Sequence, residues 1–565
     1  MSSEVDYLII GSGVNGTSIA HTLITQGYTV SVLDRSADGF VAPDGASHDL
    51  NKIVRADYTD PNYCTLAKEA ISRWRSSPVL SPFYHEVGVF FRSSDQGQIF
   101  KAEKGSSGGG EGTSAEEYVE NGVKHAALQR DEHLELATPG KSLGSKAFKL
   151  ENDSQVKEIF KRVTCQGGNK VELGVGMSGM GKTQTGYFNP RGGWAEANNA
   201  CRALLSHAIS LGVRVHPNCT VTSFTYSSSS NPTKITGVRT ASGQIFSAKN
   251  IVIAAGAWTS DLLTTLSSSS AFGKPIEKAS KWMTRPSAQC VAILRLTPSE
   301  AESLRNTPVI INFSSGFYQF EPVFIAGLKE WHIKIAYHSN GYLYPKPPVE
   351  CNGSFPCFQD SVASKSNLMG DREIGSEAFQ AERGEDVGYE MAESTIPSNR
   401  LDSMLFELAQ IYPTIANKDR VVTTRVCWYS DTLDENWIID TLSNHLNSSE
   451  QEKKPQGEGK GEGEGGKVKG LGENVWIVSG DSGHAYKFLP MIGDLFATIS
   501  GLFPNTRKLD LENFTFKHQA KLHKIKQKGE KVKNADSNRF DATKQKFTIN
   551  NLKSHHEGQN LRARL

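Results

Sequence analysis

A glycine-rich turn near the start of the chain constrains its fold more than any other feature. Gly11, Gly13 and Gly16 are spaced as GxGxxG, after an apolar run at residues 7–10 and before a helical pattern at residues 17–26. Strand, glycine turn and helix predict the start of a βαβ unit. The first glycine makes the tight turn, the second lets backbone approach a pyrophosphate, and the third permits close packing of helix on strand.

The residues around this turn favour a bound nucleotide. A second apolar run at residues 29–33 ends in Asp34, eighteen residues beyond Gly16, where a carboxylate can accept hydrogen bonds from adenosine ribose hydroxyls. Backbone amides of Val14 and Asn15 lie at the positive end of the helix and would face the phosphates. The pattern predicts a Rossmann-type site but does not separate NAD from FAD.

A second glycine-rich segment, GMSGMGKT at residues 176–183, satisfies the P-loop pattern letter by letter. A P-loop lysine should open a helix whose dipole supports the phosphates. Here Lys182 is followed by QTGYFNPRGG, in which glycines and Pro190 break any helix within a few residues. We therefore interpret the segment as a loop and not as an ATPase site.

Composition limits the partners and the number of domains. The 565 residues exceed one ordinary domain, and 62 basic against 61 acidic side chains leave a net charge of +1, so neither nucleic acid nor membrane is an expected partner. Eight cysteines without a CxxC pair or a zinc-type histidine cluster predict reduced thiols and no metal site. The first residues lack a signal-peptide pattern and no run of about 20 apolar residues occurs, so we expect a soluble intracellular protein.

Strand-like and helical runs alternate along most of the chain, which predicts an α/β fold with an α+β second domain. The expected architecture is a Rossmann-type nucleotide-binding domain interleaved with a mostly antiparallel-sheet substrate domain. The predicted nucleotide-binding domain comprises residues 1–90, 186–275 and 424–510, and the substrate domain residues 91–185 and 276–423. Composition predicts flexible insertions at residues 104–121 and 448–470 and a basic tail at residues 515–565.

Three later motifs carry a resemblance to a known family. They are NIVIAAGAW at residues 250–258, RVCWYSDTLDENWIID at 425–440 and SGDSGHAYKFLP at 479–490. The last two resemble the paired signatures of the sarcosine oxidase and fructosyl amino acid oxidase family. That family, which includes pipecolate and saccharopine oxidases, oxidises the C–N bond of N-substituted amino acids with FAD and passes the electrons to oxygen. The likeness covers most of residues 5–100 and 185–505, but not the insertions or the tail.

The resemblance assigns cofactor roles. Cys427 stands where a family cysteine forms a thioether to the flavin, although a cysteine by itself is more often an inert core thiol. The second signature lines the flavin in the family. Together with the nucleotide motif, the expected FAD-binding residues are Gly11, Gly13, Val14, Asn15, Gly16, Asp34, Lys52, Val221, Gly256, Trp258, Cys427, Asp481, Gly483, His484 and Lys487.

The resemblance also assigns catalytic roles. Lys334 matches a family lysine that holds positive charge near flavin N5 and stabilises superoxide. Without the resemblance, it would be interpreted as a lysine at a strand end whose charged group reaches solvent. Arg55 and Lys487 match the pair that clamps the substrate carboxylate. His48 and His338 would lie near the flavin ring, although either alone is more often a structural histidine.

The sequence leaves the substrate open. The segment DLNKI at residues 49–53 resembles the fructosyl amine branch. That branch has a lysine at the position of Lys52, whereas sarcosine oxidases carry arginine there. Fructosyl enzymes place a glutamate where this chain has His338, and IVRADYTDP with Arg55 resembles the sarcosine, pipecolate and saccharopine oxidases. We therefore favour a secondary amino acid, with a fructosyl amino acid as the alternative.

Two further expectations follow. The chain ends Ala563-Arg564-Leu565, similar to the Ser-Lys-Leu signal that the peroxisomal import receptor binds, and a peroxide-forming oxidase belongs beside catalase. Among other classes, an FAD or NAD dehydrogenase that does not use oxygen shares the glycine motif, but Lys334 argues against it. A catalytically dead scaffold would be expected to lose Cys427, Lys334 or Lys487.

Overall fold

The computed structural model describes residues 4–58, 60–94, 147–164, 171–227, 234–268, 284–338, 342–343, 396, 398–450 and 472–528. The helices in these ranges are α1 (Val14–Thr25), α2 (Pro61–Ser76), α3 (Asp153–Ile159), α4 (Lys161–Thr164), α5 (Ala197–Ser210), α6 (Thr259–Ser268), α7 (Pro298–Ser303), α8 (Ser398–Ile411), α9 (Leu442–Glu450), α10 (Ile492–Ile499) and α11 (Phe516–Gln527). Short 3-10 helices occupy Ser81–Phe83, Val175–Met177, Gly256–Trp258, Lys418–Arg420, Tyr486–Phe488 and Leu511–Phe514.

The strands form three sheets. In chain order they are β1 (Val5–Ile10), β2 (Val30–Leu33), β3 (Lys52–Val54), β4 (Tyr84–His85), β5 (Val89–Ser94), β6 (Phe148–Lys149), β7 (Gln184–Asn189), β8 (Gly193–Ala195), β9 (Arg214–His216), β10 (Val221–Tyr226), β11 (Ile235–Thr240), β12 (Ile245–Ile253), β13 (Arg285–Leu296), β14 (Val309–Asn312), β15 (Phe317–Gln319), β16 (Val323–Ile325), β17 (Glu330–Tyr337), β18 (Tyr342–Leu343), β19 (Val421–Asp431), β20 (Ile438–Thr441) and β21 (Val475–Ser479).

The first sheet is built around β1 and confirms the Rossmann-type expectation. Its path is β10-β11-β12-β1-β2-β9, and β21 joins β12 and β20. β1 pairs in parallel with both β2 and β12, and β12 pairs in parallel with β21. Ile9 belongs to a core on one face of β1, whereas Leu8 and Ile10 belong to a core on the other. Burial on both faces is what a parallel sheet covered by helices requires.

The second sheet is mostly antiparallel, as expected from the sequence. It follows the path β18-β13-β17-β15-β14-β5-β7-β6, with β19 paired to β13 and β16 to β17. Among its described strands, β5 and β14 form the one parallel pair. A small third sheet, β3-β8-β4, places Lys52 opposite Ala195.

The observed elements cross two of the boundaries that the sequence analysis expects. β19 pairs along β13 from Val421 to Asp431 and so lies in the second sheet, whereas the expected boundary at residue 424 divides it. The expected tail begins with helix α11, in which Phe516 is fully buried. Both differences depend on tertiary contacts, namely strand pairing and helix docking, which the local sequence does not reveal. The insertion at 104–121, most of that at 448–470 and the tail after residue 528 lie outside the described residues.

The loop interpretation of residues 176–183 is confirmed. Lys182 lies in a turn, and the next element is strand β7 rather than a helix. Gln184 holds this turn, because its side-chain amide donates to the carbonyls of Gly176 and Ser178, both at 2.8 Å. In the described part of the chain, no helix is long and apolar enough to cross a membrane.

Candidate active site

A cavity of 1780 Å³ opens where the carboxyl ends of the parallel strands meet the second sheet. This position is where ligands bind in open α/β sheets, and the volume exceeds that of an ordinary small-molecule pocket. The expected FAD-binding residues that line it are Gly11, Gly13, Val14, Asn15, Asp34, Lys52, Val221, Gly256, Trp258, Asp481 and Gly483, and His48 lines it as well.

The glycine turn has the predicted geometry. Gly11 adopts a φ of +102°, and a Cβ there would lie 2.5 Å from the Ala254 carbonyl oxygen. A Cβ on Gly16 would lie 1.9 Å from the Gly11 carbonyl oxygen, so the first and third glycines are both required by packing. Gly13 differs, because its nearest contact would be an ordinary 3.6 Å from Ser47 Oγ. Gly13 therefore faces the cavity and is not enclosed by neighbouring backbone.

Asp34 directly follows β2 at the cavity wall and also holds the glycine turn in place. Its Oδ2 accepts hydrogen bonds from the backbone N and the Oγ of Ser12, both at 2.8 Å. Its Oδ1 accepts the Ser36 amide at 2.8 Å. The carboxylate is thereby fixed in orientation next to the place expected for the ribose.

The second signature reaches the same helix terminus from β21. Asn15 donates from Nδ2 to Asp481 Oδ1 at 2.8 Å, which joins α1 to the loop after β21. Burial raises the pKa of Asp481 to about 6, opposed by the hydrogen bond from Asn15 and assisted by the nearby Asp431. Arg35 lies over the Trp258 ring at 4.5 Å, so the expected FAD residue Trp258 is held by a cation–π contact.

A second, smaller cavity of 60 Å³ adjoins the first. The two cavities share Lys52, Tyr429, Gly483 and Tyr486, which therefore mark their junction. The small cavity brings together the expected substrate residues from distant parts of the chain. Its lining includes Arg55, His338, His484 and Lys487.

Arg55 and Lys487 meet around one aromatic ring. The Arg55 guanidinium carbon lies 5.1 Å from the centroid of the Tyr58 ring, and Lys487 Nζ lies 4.9 Å from it. All three residues are buried. Two cations that lie far apart in sequence are thus brought to the same small cavity, as a carboxylate-binding pair requires.

The Tyr58 hydroxyl connects Lys487 to His484 in a chain of fixed direction. Lys487 Nζ, which only donates, gives a hydrogen bond to Tyr58 Oη at 2.6 Å. His484 Nε2 must donate to the Glu435 carbonyl at 2.8 Å, so its Nδ1 accepts from Tyr58 Oη at 3.1 Å. Tyr58 therefore orients Lys487 towards the cavity.

Replacing Tyr58 with phenylalanine should weaken substrate binding more than turnover. Loss of a hydrogen bond to a charged group should raise KM for an amino acid substrate about tenfold, with a smaller change in kcat. Steady-state kinetics measures both values. Tyr63→Phe is the matched control, because its ring stacks on Tyr58 at 5.6 Å while its hydroxyl accepts from the Trp437 amide. An unchanged KM in Tyr58→Phe would contradict this role.

Lys334, Asp49 and Lys52 form a charge triad in which Lys334 and Asp49 are buried and Lys52 is partly exposed. Lys334 Nζ lies 2.6 Å and Lys52 Nζ 2.7 Å from the same oxygen, Asp49 Oδ2. Lys334 also donates to the Asn51 carbonyl at 2.7 Å and is fully buried. Burial lowers the pKa of Lys334 to about 8 against the opposing pull of Asp49. Burial also disfavours charge on Lys52, but the combined attraction of Asp49, Cys427 and Tyr429 is larger and raises the Lys52 pKa.

Cys427 lies directly behind the cavity wall. It is buried in β19, and its Sγ accepts from Lys52 Nζ at 3.3 Å. Among the described residues, its neighbours Val426, Trp428 and Tyr429 line the large cavity, while Cys427 and Lys334 line neither cavity. Cys427 therefore contacts the cavity lining through Lys52, and Lys334 contacts it through Asp49.

The two histidines occupy different cavities. His48 lines the large cavity, its carbonyl accepts from Arg425, and burial together with Arg425 lowers its pKa. His338 lines the small cavity, and its ring centroid lies 5.8 Å from that of Tyr429.

Sequence reasoning missed Asp49 and Tyr58. Both lie within segments that it quoted, DLNKI and IVRADYTDP, but no motif assigns either a function. A buried lysine in β17 requires a partner, which was the available signal that a carboxylate lies opposite Lys334. Nothing local identifies that carboxylate as Asp49.

A Rossmann turn that opens into a cavity of this size defines a dinucleotide-binding protein. Residues 6–499 match the DAO family, described as FAD dependent oxidoreductase, and the chain belongs to this family. It is 26% identical over 497 residues to the L-saccharopine oxidase of Schizosaccharomyces pombe, covering 87% of this chain and 88% of that protein. It is 24% identical over 530 residues to the amino acid oxidase fsqB of Aspergillus fumigatus, covering 87% and 92%.

Solved structures share the fold. The fructosyl amine:oxygen oxidoreductase amadoriase I of Aspergillus fumigatus superimposes with a TM-score of 0.59 at 20% identity, covering 96% of this chain and 94% of that one. Amadoriase II, a fructosamine oxidase of the same organism, gives a TM-score of 0.58 at 21% identity, covering 96% and 95%.

The residues fit FAD. Gly11 and Gly16 leave no room for a side chain, Gly13 faces the cavity, and Asp34 is fixed at its wall. The glycine turn would hold the pyrophosphate, Asp34 the ribose, and the junction at Lys52 and Tyr429 the flavin ring.

Proposed function

We propose that the protein is an FAD-dependent oxidase of secondary amino acids that uses oxygen and releases hydrogen peroxide. The observation that carries the proposal is the pair Arg55 and Lys487, which lie over the ring of the buried Tyr58 and line the small cavity next to its junction with the large one. Membership of the FAD-dependent oxidoreductase family and the likeness to a saccharopine oxidase support it.

The chain's own residues have distinct tasks in this reaction. Arg55 and Lys487 bind the substrate carboxylate, which directs the carbon next to nitrogen towards the junction. Lys334 and Lys52 hold positive charge behind that junction, where it stabilises the negative charge that develops when oxygen takes its first electron. Bound FAD supplies the hydride acceptor that oxygen then reoxidises.

We propose that Cys427 attaches the flavin covalently through a thioether. A C–S bond would replace the thiol S–H bond and a C–H bond of the flavin 8-methyl group, and the flavin would accept the two electrons released before oxygen reoxidises it. Lys52 Nζ donates a hydrogen bond to Cys427 Sγ at 3.3 Å, which fixes the position of the sulfur. Lys52 also lines both cavities, so this pair lies where the flavin ring and the substrate would meet.

The charge of the small cavity favours an anionic substrate. Lys52, Arg55 and Lys487 line it, and no carboxylate does so among the described residues. A neutral sugar bound there would lack a carboxylate acceptor for its hydroxyls, since His338 stands where fructosyl enzymes carry glutamate. An N-carboxyalkyl amino acid such as saccharopine has additional carboxylates for these cations. We therefore place saccharopine first, before pipecolate and sarcosine.

Peroxide release by the purified holoenzyme in air tests the proposal. Saccharopine, pipecolate, sarcosine and fructosyl-lysine are compared at equal concentration, with Arg55→Met as a variant that should lose about a hundredfold in kcat/KM. Peroxide release with the secondary amino acids and none with fructosyl-lysine would support the assignment. Fructosyl-lysine as the best substrate would overturn the substrate class but not the oxidase. No peroxide from any of the four would contradict the proposed function.

We further propose a peroxisomal location, which rests on Ala563-Arg564-Leu565 and on the peroxide product. These residues lie outside the described part of the chain. A fluorescent protein fused before the full chain should co-localise with a peroxisomal marker, and deletion of the last three residues should release it. Unchanged location after the deletion would refute this signal.

A further inference from the structure

We propose that Asp49 is a positioning residue that keeps Lys334 and Lys52 charged side by side at the junction of the two cavities. The inference rests on the proposed oxidase function and deepens it. One oxygen of Asp49 binds both ammonium groups, at 2.6 Å and 2.7 Å. Asp49 lines the large cavity and is only 5% exposed.

The charges around the triad come from several elements. Lys334 on β17 faces Asp49, Lys52 and Cys427, and its Nζ lies 5.1 Å from the Phe320 ring. Asp49 also faces Arg425, and Lys52 also faces Tyr429. The triad alone carries two positive charges and one negative charge. Without Asp49, the two ammonium groups that now share one carboxylate oxygen would remain close together in a largely buried site, where like charges repel strongly.

Lys334 is the group that this repulsion would discharge. Burial has already lowered its pKa to about 8, whereas the pKa of Lys52 is raised. Loss of the Asp49 charge should lower the Lys334 pKa further by about two units. At pH 8 the variant would then hold a neutral Lys334. Asp49 also connects Lys334, which lines neither cavity among the described residues, to Lys52, which lines both.

The test needs no amino acid substrate. Holoenzyme reduced with dithionite is mixed with air-saturated buffer between pH 6 and pH 9, and flavin reoxidation is followed by absorbance. A protonated lysine accelerates this step, so the rate is high below its pKa and falls above it. Asp49→Asn should shift the decline to lower pH by about two units and slow reoxidation at pH 8 about fiftyfold, because the protonated fraction of Lys334 falls from about one half to about one hundredth.

The visible spectrum of the oxidised flavin gives a second readout that is independent of turnover. A lysine that titrates beside the flavin should shift the spectrum with the same midpoint as the reoxidation rate. Lys52→Met should move that midpoint upwards, because Lys52 lowers the pKa of Lys334. A merely structural role of Asp49 would reduce flavin content and leave the midpoint in place.

Controls separate the two proposals. Asp440→Asn removes another buried carboxylate, one that accepts from the Phe516 amide at 2.9 Å, and should leave both midpoints unchanged. Reoxidation of the unmodified enzyme no faster than that of free flavin would overturn the oxidase function itself. Fast reoxidation with the same midpoint in Asp49→Asn would overturn the role of Asp49. If that variant fails to fold, an unshifted midpoint in Lys52→Met is sufficient to overturn it.

Discussion

Cys427→Ala is expected to release all of its flavin on denaturation, whereas the unmodified chain should retain flavin fluorescence in a denaturing gel. The side chain removed is small and buried, so the loss of stability should be about 1 kcal/mol and the variant should fold. The variant should still bind FAD non-covalently, because the glycine turn and Asp34 do not depend on the thiol. Gel fluorescence and the flavin content of the native protein measure the two effects separately.

Cys290→Ala is the matched control for this result. Cys290 is also buried, and it lies on β13 opposite Val426, one residue from Cys427 in the adjacent strand. It belongs to a different core cluster from Cys427, on the other face of the sheet. This variant should keep its flavin through denaturation. Flavin that remains attached in Cys427→Ala, or that is lost from the unmodified chain, would refute the thioether.

Gly16→Ala is expected to unfold the nucleotide-binding turn. The added Cβ would lie 1.9 Å from the Gly11 carbonyl oxygen, which is backbone and cannot rotate away. Overpacking of this kind costs about 3 kcal/mol and displaces the N-terminus of α1 from β1. We expect a lower soluble yield, a lower midpoint of thermal unfolding and little bound flavin, measured by circular dichroism and by the absorbance ratio of flavin to protein.

Gly13→Ala separates the packing of the turn from its contact with the cofactor. Gly13 has a φ of −67°, and its added Cβ would meet Ser47 Oγ at an ordinary 3.6 Å. The protein should therefore fold normally, whereas backbone approach to the pyrophosphate is obstructed and flavin content falls. Full flavin content in both variants would show that the turn does not bind the cofactor.

The nucleotide end of the site was predictable because its signals are local. Gly11, Gly16 and Asp34 lie within one βαβ unit, and the structure places them as their spacing predicts. Glycine at positions without room for a Cβ, and an acid at the end of the second strand, are properties of short segments. The sequence therefore predicted the fold of this unit, and its glycine turn lines the large cavity.

The substrate end depends on contacts that no segment encodes. Lys334 meets Asp49 across 285 residues of chain, and Lys487 meets Tyr58 across 429. The resemblance to a family supplied Arg55, Lys487 and Lys334, but the side chains that orient them required the structure. The boundary at residue 424 differed for a related reason, because β19 belongs to a sheet through its pairing with β13 and not through its own composition.

Helix α11 gives this site a dependence on the order of protein synthesis. His518 and Gln519 bind the two oxygens of Asp434, each at 2.7 Å, next to the Glu435 carbonyl that holds His484. A ribosome that has reached Ile499 has made the glycine turn, Cys427 and Lys487, yet Asp434 still lacks both of these partners. The hydrogen bonds from His518 and Gln519 to Asp434 can therefore form only after helix α11 has been synthesised, later than every other contact of this site described above.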